Sequence, residues 1–221
     1  MAFVVGIDGP AGSGKGTVTK LIAKRLGLIN IDTGITYRCV ALEVLNQNVE
    51  LDNKDKIIEI AKTISIKIDN TNSGDVVYLN GENVTDKIRT KEVSQIVSQV
   101  SSIKEVRYEM VNVQRQLAEG KDVIMEGRDI CTYVFPNANV KIYLDASLDE
   151  RAKRRYLEMK AKGIDTTLEE IKEMIEKRDA NDKKKEVGAL KLAKSSIVVD
   201  TTSKTIDEVV EEIINIINKE R

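Results

Sequence analysis

The stretch Gly9-Pro10-Ala11-Gly12-Ser13-Gly14-Lys15-Gly16-Thr17 constrains this chain more than any other. It fits G-x-x-x-x-G-K. An apolar run, Ala2 to Ile7, leads into it and ends at Asp8. Lys15 to Leu26 follow with helical spacing, placing Val18, Leu21, Ile22 and Leu26 on one face. A strand, a glycine-rich turn and a helix in that order let backbone N–H groups curl around phosphate oxygens, with the positive end of the helix behind them. Lys15 then reaches the β and γ phosphates of a nucleotide. Gly16 follows the lysine directly, where the usual pattern has Ser or Thr. Thr17 is therefore left for the α-phosphate or, through water, for a metal ion.

The rest of the chain supports a parallel α/β sheet, because strands and helices alternate. Leu28 to Ile31 reads as a second strand, and helices are expected from about Thr36 to Asn46 and Asp52 to Thr63. Ile64 to Ile68 instead alternates with period two, and Asn80-Gly81 between Val76–Leu79 and Glu82–Val84 signals a type I′ hairpin. Ser65 to Arg89 thus reads as a small antiparallel insert. Helices from about Lys91 to Ser102 and Lys104 to Glu119 come next, then core strands Asp122 to Met125 and Val140 to Leu144. Ser147 with Glu150, Thr167 with Glu170 and Thr205 with Glu208 have capping-box spacing. A final stripe, Ile206, Val209, Val210, Ile213, Ile214 and Ile217, should dock a helix on the core.

Composition narrows the chemistry. The 221 residues include no histidine, which excludes Ser-His and Cys-His nucleophiles and imidazole-based zinc sites. Phosphoryl transfer suits what remains, since it needs positioning and charge stabilisation more than covalent help. Thirty-five basic against 36 acidic residues leave a net charge of −1, so no basic field points to nucleic acid or a membrane. Cys39 and Cys131 stand far apart and fit a reducing cytoplasm with both thiols unbridged. No signal peptide or membrane span is read in the sequence.

Among phosphate-loop proteins a GTPase is disfavoured. D-x-x-G does not occur, and Asn53-Lys54-Asp55-Lys56 departs from N-K-x-D at its last residue. The ending Gly-Lys-Gly-Thr resembles that of the nucleoside monophosphate kinases. Two polar clusters follow strands, Asp32-Thr33-Gly34-Ile35-Thr36-Tyr37-Arg38 and Glu126-Gly127-Arg128-Asp129. Ligands bind beyond the carboxyl ends of strands in such sheets, so Thr33, Arg38 and the phosphate loop are expected to converge. The plainer readings are a helix cap at Asp32-Thr33-Gly34 and a surface ion pair at Arg128-Asp129. Leu168, Ile171, Ile175, Arg178, Asp182 and Lys185 share one helix face, apolar first and charged later. That is either a helix leaving the core with an Arg178–Asp182 pair, or a lid helix carrying charge over phosphates.

Taken together these segments resemble bacterial cytidylate kinases over nearly the whole chain. The resemblance also takes in Asn80-Gly81-Glu82-Asn83-Val84, Ile88-Arg89-Thr90, Ser98-Gln99-Val100, Val106-Arg107 and Ala146 to Arg155. It implies a P-loop kinase fold, α/β with a parallel core sheet flanked by helices. A small antiparallel NMP-binding insert at 65–89 and a short helical lid at about 155–185 would join a core of 1–64 and 90–221. It implies transfer of the γ-phosphoryl group of ATP, with Mg2+, to CMP and dCMP by a cytoplasmic monomer. Gly9 to Thr17 would bind ATP. Thr33, Arg38 and Arg128 match positions that hold the acceptor phosphate, Ser98, Arg107 and Asp129 positions around the cytosine, and Asp182 the one that binds the ribose hydroxyls. From residue chemistry alone Ser98 reads as a solvated helix serine. Lys15, Arg128, Arg178 and Lys185 would neutralise charge during transfer, and Asp32 or Thr17 would meet magnesium through water. The chain departs from the family where Lys185 replaces an arginine, Cys131 a glycine, Glu126 an aspartate, and Gly188-Ala189 an expected proline. Lys183 and Lys184 stand close enough to substitute for the missing arginine. Another small-molecule kinase, of shikimate or adenylate type, and a nucleotide-binding module without turnover are the competing readings.

Overall fold

The computed structural model describes residues 2–71, 74–161 and 163–221. Met1, Asn72, Ser73 and Lys162, which fall in the expected core, insert and lid, lie outside the described residues. The chain opens with β1 (Val4–Asp8), α1 (Lys15–Leu26), β2 (Ile29–Asp32), α2 (Gly34–Asn46) and α3 (Lys54–Thr63). Next come β3 (Ile66–Thr71), β4 (Gly74–Leu79), β5 (Glu82–Asn83), α4 (Lys91–Val100) and α5 (Lys104–Ala118). The last part holds β6 (Val123–Gly127), β7 (Val140–Asp145), α6 (Leu148–Ala161), α7 (Leu168–Lys184), β8 (Ile197–Asp200) and α8 (Ile206–Glu220). These elements form two compact units, Met1–Asn30 with Lys121–Arg221, and Ile31–Gly120.

The first unit is built on a sheet of order β2-β6-β1-β7-β8, with the last residues of β2 beyond its boundary. β1 runs parallel to both β6 and β7, and β7 parallel to β8. Every residue of β1 is buried, which explains why it reads as one continuous apolar run rather than an alternating one. Val5, Ile7, Ile22, Ile142, Leu144, Val210 and Ile213 belong to one apolar core on this sheet. The α8 stripe packs there from Val209 onward, while Ile206 at its head remains 52% exposed. Full capping boxes start α7 at Thr167 and α8 at Thr205, and Ser147 Oγ accepts from the Glu150 amide at 3.3 Å. β8 is the strand that sequence patterning passes over. It is a short edge strand whose Ile197 and Val198 face outward, with only Val199 deeply buried.

The second unit has its own core. Ile35 and Val40 of α2, Ile57 and Ile60 of α3, Val77 of β4, Val93 of α4 and Met110 of α5 pack together. The small antiparallel sheet, order β3-β4-β5, belongs to this unit. Asn80 and Gly81 carry φ of +52° and +86°, as a type I′ turn requires at both central positions. Among the described residues no helix is long and apolar enough to cross a membrane.

Candidate active site

On the first unit the phosphate loop joins the carboxyl end of β1 to α1. Gly9 has φ +156°, and a Cβ there would stand 2.1 Å from the Leu144 carbonyl oxygen, so the sharp exit from the strand admits no side chain. Gly14, at φ +91°, precedes the first turn of α1, and its carbonyl accepts from the Thr17 and Val18 amides. Lys15 is only 5% exposed, and its Nζ donates to the Gly9 and Pro10 carbonyls at 2.8 and 2.7 Å. Burial lowers the affinity of this ammonium for its proton, and the cations Arg128 and Arg178 push it down further. Lys15 thus feels two further cations where the loop amides gather, with the carboxylates of Glu126 and Asp8 pulling the other way. Fixed positive charge in a dry site is what developing phosphate charge needs. Gly16 has a local reason: a Cβ there would meet Glu126 Oε1 at 3.1 Å, and Thr19 Oγ1 reaches the same oxygen at 3.4 Å. Thr17 is exposed at the helix start.

The charged half of the α7 stripe comes to the end of β6. Asp182, 4% exposed, accepts from Arg128 Nε at 2.9 Å, and Lys185 Nζ lies 2.8 Å from its other oxygen. Burial alone would raise this carboxyl, but Arg128 and Lys185 outweigh it and hold it at about 2. Arg178, exposed on the same helix, acts electrostatically on both Lys15 and Asp182. Arg128 therefore pairs with Asp182 of α7. Asp129 itself is 4% exposed.

Asp8, at the end of β1, is the residue that sequence reasoning used only as the close of an apolar run. Its two carboxylate oxygens accept from the amides of Ile130 and Cys131 at 2.7 and 2.8 Å. The wide turn Ile130–Val134 that carries Asp129 is fixed from below in this way. A carboxylate closing an otherwise buried strand is the sequence signal that could have found it. Cys131 packs against Gly6, where a Cβ would meet Sγ at 2.8 Å. The bulk of Cys131 is thus taken up by a glycine on the neighbouring strand. Burial pushes the Cys131 thiol up, and neither it nor Cys39 is bridged.

Burial also raises the Asp8 carboxyl from 3.8 to about 6, against the pull of the two amides. The folded state then binds this proton more tightly than the unfolded chain. The stability it contributes is complete below about pH 4 and is lost as pH rises through about 6, an effect of order 3 kcal/mol. Asp8→Asn is expected to flatten the change of melting temperature between pH 4 and pH 7. An unaltered slope would contradict the assignment.

The second unit holds the other expected residues. Thr33, 3% exposed, stands at the start of α2, and its carbonyl accepts from Thr36 Oγ1 at 2.9 Å. Gln114 of α5, missed from sequence, is 1% exposed and donates Nε2 to that same Thr36 Oγ1 at 3.0 Å. No local pattern marks Gln114, since its partner lies 78 residues away. Asp32 Oδ1 accepts from the Gly34 amide at 2.9 Å, so the cap-like turn and the polar cluster coexist. Arg38 donates to the Ile88 carbonyl at 3.0 Å and to Ser94 Oγ at 3.1 Å. Ser98 is half-buried on α4 rather than fully solvated. Arg107 of α5 is 2% exposed, donates to the Ser101 carbonyl at 3.1 Å, and lies over the Tyr37 ring at 5.1 Å.

Comparison with known proteins follows the same line. The cytidylate kinase family profile matches residues 5–219. The chain is 47% identical over 215 residues to the cytidylate kinase of Caldicellulosiruptor bescii, covering 97% of this chain and 95% of that protein. It is 48% identical over 215 residues to the cytidylate kinase of a Geobacillus species, covering 97% and 96%. Among solved structures, an uncharacterized protein from Eubacterium ventriosum superposes with a TM-score of 0.53 at 14% identity, covering 98% of each chain. Shikimate kinase from Bacteroides thetaiotaomicron superposes at 0.50 and 12% identity, also covering 98% of each. Those two likenesses concern the fold alone, a parallel sheet flanked by helices of the P-loop kinase kind. Phosphate loop, strand-end clusters and full-length identity agree, and the chain belongs to the cytidylate kinase family.

Proposed function

We propose that this protein transfers the γ-phosphoryl group of ATP to the 5′-phosphate of CMP and dCMP, giving ADP with CDP or dCDP. The observation that carries the reading is the phosphate loop with buried Lys15 at its centre and Arg128 held at the end of β6 by Asp182, in a cytidylate kinase family member. A phosphate oxygen of CMP forms the new bond to the γ-phosphorus as the bond to the β-γ bridging oxygen breaks in line. The attacking oxygen arrives ionised, so no general base is needed, and the absence of histidine costs nothing. Gly9 to Thr17 bind ATP. Lys15, Arg128, Arg178 and Lys185 hold the charge that spreads over the transferring group. Lys185 contributes as a point charge without an arginine's fork.

Thr33, Arg38 and Arg128 serve the acceptor phosphate, and Asp182 the ribose. Ser98, Arg107 and Asp129 serve the base. Cytosine offers an amine donor beside an N3 acceptor, which suits a carboxylate and an arginine; uracil reverses both and would leave buried groups unpaired. The insert 65–89 serves the monophosphate, and the lid, about 155–185, excludes water during transfer. Hydroxyl and carboxylate oxygens are the donors magnesium prefers, and it keeps several waters. Thr17 or Asp32 would meet it through water, and on the first unit the Glu126 carboxylate beside Gly16 is a further oxygen donor. When bound, the ion neutralises phosphate charge. The protein works as a cytoplasmic monomer; its sparse cysteines fit a reducing compartment, and its balanced charge offers no basic field for nucleic acid or a membrane.

ADP release measured in parallel with CMP, dCMP, UMP and AMP tests the reading, with shikimate as a further acceptor. CMP and dCMP are expected to lead. A preference for AMP or shikimate, or ADP release that needs no acceptor, would contradict it. Asp129→Ala is expected to cut kcat/KM for CMP by roughly tenfold or more relative to UMP, since one base-reading carboxylate is lost. Equal losses would remove Asp129 from base reading.

A further inference from the structure

The helix α7 touches the phosphate loop through a side chain that the transfer scheme leaves unused. Asp179 lies on α7 between Arg178 and Asp182 and is 7% exposed. Its Oδ1 accepts from the Ala11 amide at 3.0 Å, and its Oδ2 from Arg151 Nη1 at 2.6 Å. Arg151, on α6 and 8% exposed, also donates Nη1 to the Ala11 carbonyl at 2.8 Å and Nε to the Ala146 carbonyl at 3.0 Å. Both polar groups of Ala11 are therefore held by one ion pair. They belong to two successive peptide planes in the middle of the loop.

Packing reinforces the grip. The Ala11 side chain sits in a small apolar cluster with Ala152 of α6 and Ile171 and Ile175 of α7. Gly12, at φ +79°, passes so close to α6 that a Cβ would stand 3.1 Å from the Arg151 carbonyl oxygen. Electrostatics demands that the pair act as a unit. A lone carboxylate beside the loop would repel nucleotide phosphates, and a lone buried guanidinium would leave the Ala11 amide without its acceptor. The partner at 2.6 Å cancels that charge while the hydrogen bonds to Ala11 remain. Three residues further along α7, Asp182 grips Arg128 in the same manner.

We infer that Arg151 and Asp179 are a positioning couple that sets the curvature of the phosphate loop from α6 and α7 and so sets the affinity for the ATP polyphosphate. Neither residue touches the nucleotide. The inference rests on Gly9 to Thr17 being the ATP site, but not on which monophosphate accepts.

The test uses the full-length protein. ATP binding is measured by titration calorimetry with magnesium present and CMP absent, beside KM for ATP, KM for CMP and the melting temperature. Asp179→Ala and Arg151→Ala are each expected to weaken ATP binding by about ten- to a hundredfold, the cost of a misplaced cradle. KM for CMP should stay within about twofold, because the binding lost is on the donor side. Asp179→Asn keeps an acceptor for the Ala11 amide and should recover part of the loss. The double variant should be little worse than the poorer single one, since coupled residues are not additive. If the alanine variants do not fold, Asp179→Asn and Arg151→Lys decide, with a loss of at least about threefold in ATP affinity expected. Unchanged ATP affinity in folded variants, equal rises of both KM values, or fully additive losses would overturn the inference. Wild-type protein that binds ATP but shows no CMP-dependent ADP release would sink the kinase reading alone, and the ATP affinities would still decide this one.

Discussion

Lys15→Ala is expected to lower kcat by roughly a thousandfold or more while the protein still folds, as loss of a charge-stabilising group at a phosphoryl-transfer site does. Lys15 is almost fully buried and feels the positive charge of Arg128 and Arg178. Its ammonium is disfavoured without a polyanion and favoured once phosphates arrive, so its stabilisation is largest where transfer needs it. The same repulsion explains why the fold should survive. The substitution removes hydrogen bonds to the Gly9 and Pro10 carbonyls but also relieves repulsion with Arg128 and Arg178. A net change of about 1 kcal/mol would move the melting temperature by only about 2–4 °C. Steady-state ADP release with CMP, paired with a thermal melt, checks both parts. Turnover near that of the wild type would remove Lys15 from the chemistry.

Asp182→Ala should damage both stability and turnover. The carboxylate is held between Arg128 and Lys185, and removing it leaves two poorly solvated cations facing each other. Breaking a buried pair in this way costs about 3–5 kcal/mol, or a fall of roughly 10 °C in melting temperature for a chain of this size. Arg128 also loses the partner that orients its guanidinium, so kcat should fall by roughly a hundredfold. The linkage has a definite sign. The folded carboxyl, at about 2, lies below its ordinary 3.8. The stability that Asp182 contributes is present above about pH 4 and is lost as pH falls through about 2, which is the reverse of Asp8. Thermal melts from pH 2 to pH 7 are expected to show a shallower acid arm in the variant. A variant that melts and turns over like the wild type would contradict the role given to Asp182.

What could be read from sequence was the chemistry carried by neighbouring residues. The phosphate loop, the Asn80-Gly81 turn and the Thr167 and Thr205 caps depend on local backbone geometry, and the patterns specify them directly. β8 was invisible because a four-residue edge strand with two outward apolar residues has neither period nor punctuation. The turn at Ile130–Val134 was invisible for a different reason. Its amides are held by Asp8, more than 120 residues earlier. Within α7 the spacing offers Arg178 to Asp182 as a local partner, yet Arg128, 54 residues away, donates to that carboxylate. Asp179 escaped notice for the same reason, since its partners are Ala11 and Arg151. The space that accommodates Cys131 lies opposite it at Gly6, far earlier in the chain, where no local pattern points. Ser98 and Arg107 carry no signal of their own and are named only through the family resemblance.

The transfer itself is tested most directly by following the γ-phosphorus of labelled ATP in the presence of CMP. The label is expected at the β-phosphate of CDP, in proportion to the ADP formed. Label recovered as inorganic phosphate, with CMP left unchanged, would contradict it.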